Sequence, residues 1–332
     1  MKRIITLFLT LALTLSLAAC AAPGEKADDG RLQIVATLFP YYDFARAIAG
    51  GRADVTLLLS PGREAHSFEP TPLDAVTISE ANVFLYNGGE GEYWVEEMLD
   101  AAGEHIAGKA RMMDYVDALG EEFSEGMQGA DEHGHDHDHA DHDHDHEEDE
   151  HDSDEIEYDE HIWTSPKNAA ILCRAVCEAI CKADPANEDF YRANCDDYCA
   201  QIEALDARFA DLCESAPRKL LIFADRFPML YFCREYGLDY RAAFHGCSGD
   251  TEPSLATIKF LIDKVEDENI PVVYTIDFGT KKVAAVVSEC TGAAIETIYS
   301  MQTVSRADFD AGETYLTLME RNFEALRKGL NE

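Results

Sequence analysis

Histidine and aspartate alternate along the middle of this chain. His133, His135, His137, His139, His142, His144 and His146 are interleaved with acidic residues, and residues 131–160 hold seventeen Asp or Glu and eight of the chain's twelve His. Imidazole and carboxylate donors suit Zn²⁺ and similar borderline cations. No Lys or Arg occurs from 112 to 166, and a stretch this polar cannot bury a core. It reads as a disordered insertion over about 121–157, offering many weak metal contacts that collect or sense ions.

A shaped site needs donors that the fold holds still. His66 lies in the loop Ser60-Pro61-Gly62-Arg63-Glu64-Ala65-His66-Ser67-Phe68-Glu69-Pro70, just after an apolar run at 54–59. Asp225 ends the run Leu220-Leu221-Ile222-Phe223-Ala224, and Asp277 ends Val272-Val273-Tyr274-Thr275-Ile276. Open α/β sheets bind ligands at the carboxyl ends of their strands, so these three residues could converge on one cleft. His161, in Glu160-His161-Ile162-Trp163-Thr164-Ser165-Pro166, stands just before a helical pattern. Each carboxylate also has an ordinary use, since Asp is a favoured helix N-cap. His245, in Phe244-His245-Gly246-Cys247, is a loop histidine that could substitute as a ligand.

The elements that would position these groups follow from periodicity. Short apolar runs alternate with helical patterns, which predicts α/β lobes with mainly parallel sheets. Strands are expected near 32–38, 54–59 and 82–87, with helices near 40–49, 72–80, 91–101 and 168–182. A second lobe repeats the grammar, with strands near 219–224, 239–244, 272–277 and 295–299 and helices near 227–237, 253–268, 280–290 and 310–329. Between the lobes, Tyr191, Cys195, Tyr198, Ile202, Leu205, Phe209 and Leu212 step by four and three residues, one apolar stripe on a long helix. Pro185 precedes it and Pro217 follows it. A helix over 186–215 would be roughly 45 Å long, a rod joining two similar lobes that flank a metal cleft.

The amino end carries Lys2 and Arg3, then an apolar run from Ile4 to Ala19, in the order of a secretory signal. That run is shorter than the roughly 20 apolar residues of a membrane span. The expected organisation is a signal at 1–20, a tether at 21–30, a first lobe at 31–184, a connecting helix at 185–216 and a second lobe at 217–332. Leu17-Ala18-Ala19-Cys20 resembles the bacterial lipoprotein processing site, which would make Cys20 a lipidated amino terminus outside the cytoplasm. Net charge is −38, which argues against a nucleic-acid partner, because phosphate binding rests on Lys and Arg. Nine cysteines follow Cys20, so at least one cannot pair within the chain. Cys173, Cys177 and Cys181 recur every four residues, as do Cys195 and Cys199, placing each set on one helix face. They suit small buried hydrophobes or a disulfide joining two helices.

His66 with Phe68-Glu69-Pro70-Thr71-Pro72, and Glu160-His161-Ile162-Trp163-Thr164-Ser165-Pro166, together resemble the two histidine motifs of the zinc and manganese solute-binding proteins of ABC transporters. The resemblance extends over nearly everything after the tether, including the His-rich insertion and the long helix. It implies one ion held between two lobes, with His66 and His161 as first-lobe ligands and Asp277 as the acidic ligand of the second lobe. One position departs: where the family commonly has His or Glu after the strand, this chain has Ala224, which cannot ligate. Asp225, His245 or a histidine of the insertion are the substitutes.

The resemblance implies an extracytoplasmic, zinc-carrying, lipid-anchored receptor. Such a protein is a monomer that delivers Zn²⁺, or Mn²⁺, to a membrane permease and is not an enzyme. The other classes compatible with the residues are a secreted metal-dependent hydrolase and a surface adhesion or storage protein. No HExxH, nucleophile elbow or phosphate loop is present, which favours the receptor.

Overall fold

The computed structural model describes residues 30–65, 67–102, 106–128, 157–249 and 252–331. The expected leader, most of the tether, Cys20, His66 and the histidines from His133 to His146 lie outside the described residues.

The first lobe runs β1 (Leu32–Ala36), α1 (Phe39–Ala49), β2 (Ala53–Leu57), α2 (Pro72–Ser79), β3 (Val83–Tyr86), α3 (Val95–Ala102) and β4 (Gly108–Arg111). Its strands are all parallel, in the order β2-β1-β3-β4. A short 3-10 turn at Ile162–Thr164 leads into α4 (Pro166–Ala183). Pro166 sits in the first turn of α4, and the Ser165 hydroxyl accepts from the Asn168 amide at 3.3 Å, a cap that satisfies an orphan donor. α5 (Glu188–Ser215) follows.

The second lobe runs β5 (Leu220–Phe227), α6 (Leu230–Tyr236), β6 (Asp239–His245), α7 (Leu255–Asp267), β7 (Val272–Ile276), α8 (Lys282–Thr291), β8 (Ala294–Ile298), α9 (Arg306–Ala311) and α10 (Tyr315–Asn331). It repeats the first sheet's topology in the order β6-β5-β7-β8, again all parallel. In each sheet the chain reverses its direction of growth beside the first strand, so a crevice opens at the carboxyl ends of the central strands. Residues that follow strands of both sheets, Glu64 after β2 and Phe278 and Ser300 after β7 and β8, line one cavity at the seam between the lobes.

α5 has 28 residues and is about 42 Å long. Its expected stripe, Tyr191 through Leu212, is buried throughout. α5 packs on α4 and α1 of the first lobe and on α6 and α10 of the second. One hydrophobic core therefore runs from Ile34 and Phe84 through Phe209 to Tyr274 and Leu318, while a smaller cluster around Ile222, Val273 and Leu261 fills the far side of the second sheet. Both lobes accordingly belong to one compact unit, Leu32–Glu332. Among the described residues no helix is long and apolar enough to cross a membrane.

Four local features depart from the periodicity. β4 is an added edge strand whose alternation rests on two small buried residues, Gly108 and Ala110. β5 continues to Phe227 through an irregular register between Phe223 and Arg226, and α6 starts only at Leu230, beyond Pro228. The helix expected over 310–329 is two helices, divided at Gly312, whose φ of 77° ends α9. Finally, the polar insertion does not begin at 121. Residues 121–128 pack on the second lobe, with Met127 buried and the Gln128 amide donating to the Ala243 carbonyl at 3.0 Å. The Glu121 amide donates to Glu157 O at 2.8 Å, which brings together the two described ends that flank the insertion.

Asp43 on α1 ties three elements together in the core. Its Oδ2 accepts from the Tyr198 hydroxyl of α5 at 2.5 Å and from the Tyr315 amide at the start of α10 at 2.8 Å. Asp43→Ala strands both donors in a dry environment and is expected to cost about 2–3 kcal/mol. A chemical-denaturation midpoint equal to that of the unmodified protein would contradict this assignment.

Candidate metal centre

His161 is the best-defined group at the interlobe seam. It opens the 3-10 turn before α4 and is 2% exposed. Asp159, two residues earlier and also buried, fixes it twice: Oδ1 accepts from the His161 amide at 2.7 Å and lies 3.1 Å from ring Nδ1. A carboxylate on one ring nitrogen orients an imidazole and raises the basicity of the other nitrogen, Nε2, as a metal donor. Burial works to lower the ring's pKa, but Asp159, with Glu121 and Glu160 nearby, outweighs burial and raises it.

Glu160 turns back into the first lobe, where its carboxylate accepts from the Gly91 amide at 2.7 Å and its carbonyl accepts from the Asn87 side chain at 3.0 Å. The turn itself is anchored across the seam. The Trp163 indole, fully buried, donates to the Ser300 carbonyl of the second lobe at 2.8 Å. The Tyr315 hydroxyl donates to the Trp163 carbonyl at 3.0 Å.

The second lobe closes on His161 through backbone rather than side chain. A Cβ added to Gly246 would lie 2.9 Å from the Phe227 carbonyl, 3.0 Å from Asp159 Oδ2 and 3.1 Å from His161 Nδ1. Glycine is thus a steric requirement at this position. The adjoining cavity, about 20 Å³, is lined by His161 and Glu64 from the first lobe and by Arg226, Phe278, Ser300 and Thr303 from the second. A water needs roughly 10–15 Å³, so the space is of a size for an ion or a water. A second cavity of about 20 Å³ lies alongside, between Thr37, Glu92, Glu160 and the His66 neighbours Ala65 and Phe68.

Oxygen atoms around these spaces lack protein partners. Among the described residues, Asp159 Oδ2 and Thr303 Oγ1 are buried and make no hydrogen bond. Buried polar atoms are normally satisfied, and Asp159 Oδ2 and Thr303 Oγ1, close to the His161 imidazole, are oxygen donors of the kind a cation takes.

The expected ligands reach this region to different extents. Asp277 follows β7 directly, between the lining residues Ile276 and Phe278, and its Oδ1 accepts from the amide of Ser300, another lining residue, at 3.3 Å. Burial pushes its carboxyl up to about 7, against the hydrogen bonds from Ser300. Asp225 is engaged inside the second lobe. Its Oδ2 accepts from the Thr275 hydroxyl at 2.6 Å and the Ile276 amide at 3.3 Å, and its Oδ1 accepts from the Arg226 amide at 2.9 Å. His245 faces Phe123, with ring centroids 5.1 Å apart, and its Nδ1 is 3.6 Å from Glu121.

Two features of the site were not anticipated. Asp159 is one, although its Asp-x-His spacing was a readable signal. The other is Arg226, whose guanidinium crosses the cleft to Glu64 Oε2 at 3.2 Å; residues 162 apart carry no local pattern that pairs them.

With this geometry in view, comparison with known proteins is informative. Residues 34–329 match the family described as "Zinc-uptake complex component A periplasmic". The chain is 30% identical over 328 residues to the high-affinity zinc uptake system protein ZnuA of Bacillus subtilis, covering 98% of this chain and 97% of that one. It is 29% identical to the zinc-binding lipoprotein AdcA of Streptococcus pneumoniae, over 99% of this chain but only 61% of the longer relative; the chain thus spans about three fifths of that protein's length. Among solved structures, the metal-dependent lipoprotein YcdH of Bacillus subtilis superposes with a TM-score of 0.72 at 27% identity, over 90% of this chain and 99% of that one. The Zn(II)-bound ZnuA-like domain of pneumococcal AdcA shares the fold, with a TM-score of 0.71 at 24% identity, over 91% of this chain and 100% of that domain. The two-lobed architecture, the seam-facing histidine turn and the match over almost all of the described chain place this protein in the family of periplasmic A components of zinc-uptake complexes.

Proposed function

We propose that this chain is an extracytoplasmic receptor that captures a single Zn²⁺ between its lobes and passes it to the membrane permease of an ABC transporter. The observation that carries this reading is His161, buried at the interlobe seam and oriented by Asp159 beside an ion-sized cavity. His66 and His161 supply imidazoles from the first lobe and Asp277 a carboxylate from the second. Asp225, held by three hydrogen bonds within the second lobe, serves as a strut between β5 and β7, and His245 as a packing partner of Phe123.

Two imidazoles with a carboxylate suit tetrahedral Zn²⁺, and a richer carboxylate set would favour Mn²⁺. The zinc named for the Bacillus and pneumococcal relatives supports Zn²⁺ as cargo. The small cavity supports a receptor over a hydrolase, which would need room for an organic substrate beside the metal. Cys20 is the lipid attachment point, and the His133 to His146 segment gathers ions for the cleft.

Competition against a chromophoric chelator, with residues 131–151 deleted to remove the accessory histidines, tests the assignment. Asp159→Asn is expected to weaken Zn²⁺ binding about 10–100-fold, and His161→Ala and Asp277→Ala to weaken it further. Asp225→Asn is expected to change affinity less than any of these. If His161→Ala binds Zn²⁺ as tightly as the parent, the proposal fails.

Affinity should also depend on pH with a definite sign. A ligating imidazole must give up its proton, and the carboxylates around His161 favour its protonated form. Zn²⁺ affinity is therefore expected to fall with decreasing pH, beginning above the ordinary histidine value of about 6.5. Affinity that stays flat from pH 8 to pH 5.5 would argue against histidine ligation.

A further inference from the structure

Five cysteines meet at one seam, between α4 and α5. Cys173, Cys177 and Cys181 lie on one face of α4, and Cys195 and Cys199 on the facing side of α5; all five are buried and free. The sulfurs of Cys173, Cys195 and Cys199 converge from both helices to within 4.8 Å of one another. Cys195 Sγ and Cys199 Sγ are 3.9 Å apart. Thiolates around a zinc-like ion, with metal–sulfur bonds of about 2.3 Å, stand roughly 3.8 Å from one another, so modest rotamer adjustment closes the set.

The cluster differs in two ways from cysteines that only fill space. It has an approach from solvent, a surface cavity of about 290 Å³ whose lining includes Cys177, Cys195, Arg174 and Arg192. It also has positive charge at hand. Arg174 Nη1 donates to the Ala170 carbonyl at 3.3 Å, the same oxygen to which Cys199 Sγ donates at 3.7 Å, so a guanidinium, paired on its outer side with Glu203 at 2.6 Å, lies beside the sulfurs. A disulfide uses two sulfurs and leaves the third buried and odd. A soft cation uses all three.

We infer that Cys173, Cys195 and Cys199 form a thiolate site for a soft d¹⁰ cation such as Zn²⁺, Cd²⁺ or Cu⁺, separate from the cleft and serving to staple α5 to the first lobe. Cys177, one turn from Cys173 and on the same access cavity as Cys195, stands closest in sequence and placement to complete a fourth position. Binding involves no oxidation: each of three thiols releases its proton to solvent and donates its lone pair to the ion. Soft sulfur donors select such ions over Mn²⁺ or Mg²⁺.

The test uses the full-length chain, reduced and stripped of metal, titrated with Cd²⁺ while the ultraviolet thiolate-to-metal charge-transfer absorption is recorded. Imidazole and carboxylate sites give no such band, so neither the cleft nor the histidine-rich segment contributes. The band is expected to saturate, to persist in C247S/C290S, which removes the two least buried thiols among the described residues, and to be lost in C173A/C195A/C199A. The triple variant should keep its Zn²⁺ affinity at the cleft, and Cd²⁺ should raise the melting temperature of the parent but not of the triple variant. Absence of a band in the reduced parent, loss of the band in C247S/C290S, or its survival in C173A/C195A/C199A overturns the inference. So does a disulfide at Cys173 in the freshly isolated protein, detected by mass after alkylation. If the triple variant fails to fold by circular dichroism, the single variants C173A, C195A and C199A decide: each is expected to weaken the band, and a band unchanged in all three overturns the inference.

Discussion

A cation can be shared by two lobes only if their spacing is fixed to a fraction of an ångström, and here that spacing is set by burial of one face of α5. The helix is laid into a core that both sheets contribute to, from Tyr191 against the first lobe to Phe209 among Phe232, Tyr236 and Phe323 of the second. Close-packed interiors transmit strain rather than absorb it, so lobe separation is a property of that shared core and not of a flexible linker. The hydrogen bonds across the seam, from Trp163 to Ser300 and from Tyr315 to Asp43, sit on top of this packing and fix rotation.

Around His161 the chain gathers acid. Asp159, Glu160 and Glu92 are buried near the seam and Glu121 is half-buried, within a molecule whose net charge is already −38. Low-dielectric walls focus such a field onto a cleft and raise the local concentration of cations. Against that field stands Arg226, 12% exposed and paired with Glu64 across the cleft. Its charge offsets part of the acid while no ion is bound, and its partner Glu64 belongs to the same loop that carries His66.

Much of this was legible in the sequence. Alternating apolar runs and helical stripes outlined both lobes, and the α5 stripe declared the rod because seven positions kept one helical phase without a break. β4 escaped because its buried face is only Gly108 and Ala110, too small to register as apolar periodicity. The start of α6 was displaced because β5 carries its irregularity where the strand would otherwise have ended. At the site, the His161 motif was plain, while the roles of Asp225 and Arg226 were not. Both depend on partners from distant segments, Thr275 and Glu64, and only the fold brings those together. The cysteine spacing likewise announced two helix faces, and a disulfide between them was one of its two readings; the faces do meet, with all five thiols free.

Gly246 gives the second lobe a backbone surface where it meets His161, and the absence of a side chain there has a mechanical meaning. Were a methyl group present, it would act as a doorstop, pressing at 2.9 Å on the Phe227 carbonyl, 3.0 Å on Asp159 and 3.1 Å on the His161 ring. The fit of the two halves at this point thus depends as much on an atom that is missing as on the atoms that are there.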